Sequence, residues 1–129
     1  MGQFQCLRIL GILLLPALIA TAQPAGEILS VHGRLVCGNG TPSCRIWIVG
    51  SNRKLGVREL QDEVPDMPDP LLKLLAYGRP EDYRAVYADF KVEALTPDKP
   101  DHMRMVRVIS ASKIVVTNGK EIIIMKDNL

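Results

Sequence analysis

Apolar and polar side chains alternate from residue 28 to residue 37, which is the pattern of a strand that buries one face. The apolar face comprises Leu29, Val31, Leu35 and Cys37, and the polar face comprises Ser30, His32 and Arg34. The segment 44–50 alternates in the same way: Cys44, Ile46 and Ile48 share one face, and Arg45, Trp47 and Val49 share the other. We therefore predict two half-buried strands near the start of the domain.

The six residues between these strands, 38–43, are nearly all turn formers. If Cys37 and Cys44 face each other across a hairpin, Leu35 pairs with Ile46 inside and Arg34 pairs with Trp47 outside. Both cysteines then lie on the apolar faces. The alternation and the turn composition thus predict the same hairpin and the same register.

The middle of the chain predicts a short strand, a loop and a helix. A third strand is expected within 54–60, and prolines interrupt regular structure in 62–69. Asp69 is expected to cap a helix that has Pro70 at its first position and runs through 71–77. Gly78 and Pro80 would end this helix.

The second half of the chain predicts strands only. Strict alternation marks 83–95, a further strand covers 103–109, and 110–112 is expected to form a bulge. Asn118-Gly119 is a strong hairpin signal between 113–117 and 120–126. The apolar run 122–125 would aggregate on an open edge, so we expect it to be paired or covered.

This order of elements predicts a mostly β fold with one short helix. We expect a small antiparallel barrel of five to seven strands, similar to an OB-fold, or a two-layer sandwich. Such a fold says little about function by itself.

The first 22 residues have the pattern of a secretory signal peptide. Arg8 precedes a run without polar side chains, 9–20, and Ala20-Thr21-Ala22 provides small residues for cleavage. The alternative is an uncleaved membrane anchor, but a spanning helix needs about 20 apolar residues. We therefore expect a periplasmic or secreted protein, with a single domain over 23–129 and no membrane span after cleavage.

The cysteines fit an exported domain. Cys6 would leave with the signal peptide, and the remaining pair, Cys37 and Cys44, predicts a disulfide. Metal binding and redox catalysis are the alternatives, but six intervening residues differ from the C-x-x-C spacing of those sites.

Length and composition limit the range of functions. A chain of 129 residues has no room for a multidomain enzyme, and its net charge of +2 falls to +1 when Arg8 is removed with the leader, so it indicates no partner. The sequence contains no phosphate-binding loop, dinucleotide-binding fingerprint, nucleophile elbow or zinc-protease motif. We expect a non-catalytic domain without a cofactor or a metal.

A basic segment with an aromatic residue supplies the candidate binding site. No acidic residue occurs from 28 to 58, and the only tryptophan lies between arginines on the predicted outer face. The predicted ligand-binding residues are Arg34, Arg45, Trp47, Arg53 and Lys54. Basic sheet faces with aromatic residues bind anionic chains, so we expect a protein or an anionic polymer as the ligand. The alternative is that the acidic loop 59–69 folds back and neutralises this face.

Two other functions remain open from the residues. A small extracytoplasmic enzyme would use His32 or His102 as an acid or base beside a carboxylate. A calcium-stabilised structural protein would use the oxygen-rich loop, which carries Glu59, Asp62, Glu63, Asp66 and Asp69.

Overall fold

The structure, a computed structural model, describes residues 25–79 and 81–129. The predicted signal peptide, 1–22, lies outside the described residues. Its cleavage and the resulting export therefore stay predictions.

The described residues form six strands and one helix. In chain order, the elements are β1 (Ile28–Cys37), β2 (Cys44–Ile48), β3 (Lys54–Val57), α1 (Asp69–Leu74), β4 (Ala85–Ala94), β5 (Arg104–Asn118) and β6 (Glu121–Asn128). The alternating patterns thus produce strands where the sequence predicts them. β2 and β3 are shorter than predicted by two and three residues, respectively.

The strands form one sheet that closes on itself. Their order is β3-β2-β1-β4-β5-β6, and β3 also pairs with β5. The pairing of β3 with β5 is parallel, whereas the other pairings are antiparallel. Five strands therefore form a closed ring, and β6 extends it beyond β5. The predicted class, a small mostly β barrel or sandwich with one short helix, is confirmed, and the ring gives it the form of a barrel.

The predicted hairpin register is confirmed residue by residue. Arg34 pairs with Trp47, Leu35 with Ile46, and Cys37 with Cys44. A disulfide joins the two cysteines, whose Cα atoms are 4.0 Å apart. It closes the end of the β1–β2 ladder beside the turn 38–43, so this ladder cannot fray from that end.

The core fills the barrel with the inward-facing side chains of every ring strand. Leu35, Ile46, Leu55, Phe90 and Val106 are each at most 1% exposed. Leu71 of α1 is fully buried in the same cluster, so the helix packs against this core. Burying side chains of this size contributes about 1.5–3 kcal/mol each, which makes this core the main source of stability.

The helix begins differently from the prediction. Pro68, not Asp69, occupies the N-cap position, no side chain caps the helix, and Asp69 lies within the first turn. The predicted capping role of Asp69 is therefore wrong. Its carboxylate still interacts favourably with the helix dipole, because negative charge is stabilised at the N-terminus.

The C-terminal half differs from the prediction in the length of one strand. The strands predicted at 103–109 and 113–117 are one continuous strand, β5, and its register against β4 shifts twice along the way. Lys113 has a positive φ of 52° in this irregular part.

The predicted hairpin at Asn118-Gly119 is present, but β6 pairs with β5 alone among the described strands. The expectation that the run 122–125 is paired or covered is confirmed by this pairing with β5, although Ile122 and Met125 remain 59% and 71% exposed.

Candidate ligand-binding face

Four side chains from four neighbouring strands lie side by side on the outer surface of the barrel. Trp47 on β2 pairs with Lys54 on β3 and with Arg34 on β1. Arg34 in turn pairs with Tyr87 on β4. We name these four residues, Lys54, Trp47, Arg34 and Tyr87, the cation–aromatic row.

Cations and aromatic rings alternate along this row and contact each other. The Nζ atom of Lys54 lies 5.6 Å from the centre of the Trp47 ring, and the guanidinium carbon of Arg34 lies 5.9 Å from the centre of the Tyr87 ring. Both distances are within the range of cation–π attraction. The indole Nε1–H also donates a 2.6 Å hydrogen bond to the carbonyl of Ser51, which fixes the ring although Trp47 is 43% exposed.

The cations of the row lack a neutralising carboxylate. Among residues 25–79 and 81–129, no acidic group lies within 4 Å of the charged atoms of Arg34 or Lys54. A cation–π contact leaves the positive charge in place, so the row keeps its attraction for anions.

The acidic loop 59–69 makes its contacts elsewhere. Asp66 pairs with Arg58 at 2.5 Å, and Glu59 accepts a 2.8 Å hydrogen bond from the backbone N–H of Ser43. None of the loop carboxylates pairs with Arg34, Arg45 or Lys54 within the described part of the chain. The proposed neutralisation through direct ion pairs does not occur there.

The other two predicted site residues occupy different positions. Arg45 lies on β2 beside the row, and its Nε donates to the carbonyl of Pro42 at 3.3 Å. Arg53 precedes β3 and forms an ion pair with Asp98. That guanidinium hydrogen-bonds to Asp98 and lowers the pKa of the carboxyl group below its ordinary value of 3.8. The structure thus brings Arg45 to the row, whereas Arg53 is occupied by a carboxylate.

Two shallow hollows flank the middle of the row. One has a volume of about 250 Å³ and is lined by Arg34, Trp47, Lys54 and Arg45, with the turn 38–43 at its edge. The other, of about 420 Å³, is lined by Arg34, Trp47, Tyr87 and the turn 49–52. Arg34 and Trp47 line both hollows, so they form the ridge between them. An extended ligand crossing this ridge would contact both sides.

A larger hollow of about 510 Å³ lies on the opposite side of the disulfide turn, between Cys37 and the residues that follow α1. Its Arg84 is already engaged by Asp82 at 3.0 Å. Arg79 also lines this hollow and forms no ion pair within residues 25–79 and 81–129, so the row differs from it by the alternation of cations with aromatic rings and not by charge alone.

Tyr87 is the site residue that the sequence analysis missed. The alternation of β4 places it on the outer face, but its position opposite Arg34 depends on the pairing of β1 with β4. These strands are distant in sequence and share no turn. The local sequence therefore contains no signal that would bring Tyr87 to Arg34.

The two histidines differ in their surroundings. The Nδ1 atom of His32 lies 2.7 Å from a carboxylate oxygen of Asp89, and Lys113 approaches the other oxygen at 3.8 Å. Farther along β4, Glu93 pairs with Arg107 at 2.5 Å. We name this neighbouring surface, His32, Asp89, Lys113, Glu93 and Arg107, the ion-pair patch. His102 lies in the loop before β5, and its Nδ1 atom contacts the carbonyl of Pro100 at 3.0 Å.

The residues expected for the alternative functions do not assemble further in the described part of the chain. No hydroxyl group there hydrogen-bonds to Nε2 of His32, so its pairing with Asp89 lacks a nucleophile. The described residues also contain no group of three or more histidine, cysteine or acidic side chains that could hold a metal ion. The loop carboxylates thus do not converge as calcium ligands do.

Comparison with known proteins adds no family to this description. No protein-family model, curated protein or solved structure matches the chain at a significant level of similarity. None of the helices among the described residues is long and apolar enough to cross a membrane. A proposal for the function therefore rests on the disulfide and on the cation–aromatic row.

Proposed function

We propose that the chain is an exported, non-catalytic binding domain that holds an anionic polymer on the cation–aromatic row. The alternation of uncompensated cations with aromatic rings across four strands is the observation that carries the proposal. Arginine and lysine attract the charges of the polymer, and the rings supply apolar stacking surface for its sugars or bases. The signal-like leader and the disulfide support an extracytoplasmic location.

The dimensions of the row support a chain-like ligand. Neighbouring strands are about 4.8 Å apart, so four strands place the outer side chains along about 14 Å. A ligand lying across the strands would meet a cation, a ring, a cation and a ring in succession. A single small anion would use only one of these contacts.

Binding of a labelled sulfated dextran to the mature domain tests the proposal. We expect Arg34→Gln to weaken binding by about three- to tenfold at low salt, and to reduce the dependence of log K on log salt by about 1. Trp47→Ala should also weaken binding. Arg34→Gln should leave the thermal midpoint nearly unchanged, since exposed substitutions usually alter stability by about 0.5 kcal/mol or less.

The matched control is Arg107→Gln, which removes the same charge from the ion-pair patch. Equal weakening by both variants would mean that net charge, and not the row, determines binding. Loss of stability in both Arg34→Gln and Trp47→Ala would show that the face is structural. If native crosslinking recovers a discrete protein that is lost in these variants, the ligand is a protein and the polymer is excluded.

A second candidate is an extracytoplasmic enzyme that uses His32 as a general base. The observation in its favour is the 2.7 Å contact with Asp89, because a carboxylate orients a catalytic imidazole. This candidate predicts that His32→Gln abolishes a hydrolytic activity and that Asp89→Asn reduces it. A panel of ester and phosphoester substrates measured with both variants decides the matter, and unchanged background rates would eliminate the candidate.

A further inference from the structure

Two methionine sulfurs converge where β5 begins beside β3. The Sδ atoms of Met103 and Met105 each lie 2.8 Å from the point that a β-carbon on Gly56 would occupy. The two sulfurs are therefore within twice that distance of each other. Gly56 makes this possible, because any side chain there would displace both thioethers. Met103 remains 36% exposed, so a ligand can reach this pair from solvent.

A histidine beside this pair is held in the form that binds metals. The Nδ1 atom of His102 lies 3.0 Å from the carbonyl oxygen of Pro100, and a carbonyl can only accept a hydrogen bond. The proton of the neutral ring is thus on Nδ1, and the lone pair is on Nε2.

The other ring nitrogen faces an open region. Within residues 25–79 and 81–129, Nε2 of His102 has no hydrogen-bond partner. His102 and Met103 line one open hollow of about 860 Å³, whereas Met105 does not line it and approaches Met103 over Gly56. Turning the exposed imidazole toward the sulfurs exchanges the contact of Nδ1 with the Pro100 carbonyl for a metal bond at Nε2, and Nε2 has no other contact to lose.

We propose that Met103, Met105 and His102 bind one monovalent soft cation, Cu(I). Thioether sulfur is a soft ligand that selects Cu(I), and imidazole nitrogen is compatible with it. Calcium and magnesium prefer oxygen ligands, so two thioethers disfavour them. Because all three ligands are neutral, the bound site carries only the charge of the metal, which limits its repulsion with the three cations that line the hollow, Arg53, Lys54 and Lys99.

The spacing of cysteine, histidine and acidic residues along the chain predicts no metal site. Methionine becomes a candidate ligand only when two sulfurs meet, and here the meeting depends on the parallel pairing of Gly56 with Met105. The proposal is independent of polymer binding, since none of the three ligands belongs to the cation–aromatic row.

Packing alone is the competing explanation. Methionine fills irregular gaps, and the two side chains could simply cover the backbone at Gly56. Leucine distinguishes the two roles, because it retains an apolar side chain of similar size but lacks the sulfur. A packing role predicts that Met103→Leu and Met105→Leu leave metal binding unchanged.

The experiment measures Cu(I) binding to the mature, disulfide-intact protein under anaerobic conditions, by competition with bicinchoninate. Ag(I), which does not change its oxidation state, serves as the probe for NMR of methionine labelled with ¹³C in the methyl group. We expect one equivalent to bind and to shift the methyl signals of Met103 and Met105. The signals of Met67 and Met125 should not shift.

Four variants define the site. Met103→Leu, Met105→Leu and His102→Gln should each weaken binding by at least about tenfold. Met125→Leu removes a methionine that is 71% exposed on β6 and should have no effect. Shifts of all exposed methionine signals, equal weakening by Met125→Leu, or no binding of either metal would overturn the proposal. A thiol assay before and after titration excludes reduction of the disulfide as the source of ligands.

Discussion

Arg34 and His32 lie two residues apart on the outer face of β1, and each faces a different kind of residue on β4. Arg34 faces the ring of Tyr87, whereas His32 faces the carboxylate of Asp89. The same pair of strands thus contributes to both the cation–aromatic row and the ion-pair patch. The backbone pairing is continuous across both positions, so the difference between them arises from the side chains.

This difference decides where an anion can bind. A carboxylate cancels the charge of its partner and leaves little field for an approaching ligand, and such exposed pairs stabilise the fold by only about 0–1 kcal/mol. An aromatic ring orients a cation but does not cancel its charge. The row and the patch each contain two cations, but the patch also contains two carboxylates, so of these two surfaces only the row retains uncompensated positive charge.

Charge reversal in the row should produce the largest effect. We expect the double variant Arg34→Glu/Lys54→Glu to weaken binding of sulfated dextran by about 100-fold at low salt, because two attractive contacts become repulsive. Fluorescence anisotropy at several salt concentrations measures this change. The comparison variant, Lys91→Glu/Lys113→Glu, alters net charge equally on the β4–β5 side of the barrel.

We expect the comparison variant to weaken binding by less than about threefold, through long-range electrostatics that salt screens. If both double variants lose the same affinity over the whole range of salt concentrations, the distinction between the row and the patch has no functional meaning.

Removal of the disulfide should affect the two surfaces unequally. We expect Cys37→Ala/Cys44→Ala to lower the free energy of unfolding by about 2–3 kcal/mol, as estimated for so short a loop. The disulfide joins β1 to β2, so amide hydrogen exchange should accelerate more in the β1–β2 ladder than in the β1–β4 ladder. Chemical denaturation and exchange measured on the same samples provide both values. Uniform acceleration in the two ladders would contradict a local role.

Removal of a carboxylate from the ion-pair patch should increase the binding of sulfated dextran. Asp89→Asn removes the carboxylate shared by His32 and Lys113. The uncompensated positive surface would then continue from Arg34 along β1, and we expect affinity for sulfated dextran to rise by about two- to threefold at low salt. Asp127→Asn on β6, two strands farther around the sheet, is the control. Equal gains in both variants would indicate a general effect of net charge.

The smallest predicted effect concerns Arg53. Like the cations of the patch, this residue is paired with a carboxylate, that of Asp98. Its hydrogen bond lowers the pKa of Asp98 in the folded protein, so this carboxylate stabilises the fold above its ordinary pKa of 3.8. The contribution is lost as the pH falls through the lowered pKa. Thermal midpoints of the parent protein and Asp98→Asn should therefore differ at neutral pH and converge in strong acid. A constant difference across this range would contradict the pairing.

The local parts of the molecule were predictable from sequence, and the distant pairings were not. Strand alternation, two cysteines and a short turn determine the β1–β2 hairpin, including the position of Arg34 opposite Trp47. The partner of Arg34 on β4 required a contact between distant segments, so Tyr87 was missed. The prediction also placed Arg53 in the binding site, because the sequence does not show that Asp98 approaches it.

The exposed β6 strand illustrates a different limit. Its apolar residues predicted that the strand would be paired or covered, and it is paired, but hydrophobicity alone does not show which element is available to cover the outer side chains. Pairing with β5 satisfies one edge of the strand, and Ile122 and Met125 remain outside the core. The composition of a strand therefore predicts that the segment is extended more reliably than it predicts which elements pack against it.

The parallel contact between β3 and β5 also determines the order in which the fold can form. The β1–β2–β3 meander and the β5–β6 hairpin require only nearby residues, whereas Leu55 meets Arg104 across all of α1 and β4. Bringing such distant residues together carries the larger entropic cost and is the slower event. During synthesis, β3 emerges long before its final neighbour. The ring therefore closes late, and until then Lys54 and Gly56 occupy an open strand edge that a chaperone can recognise.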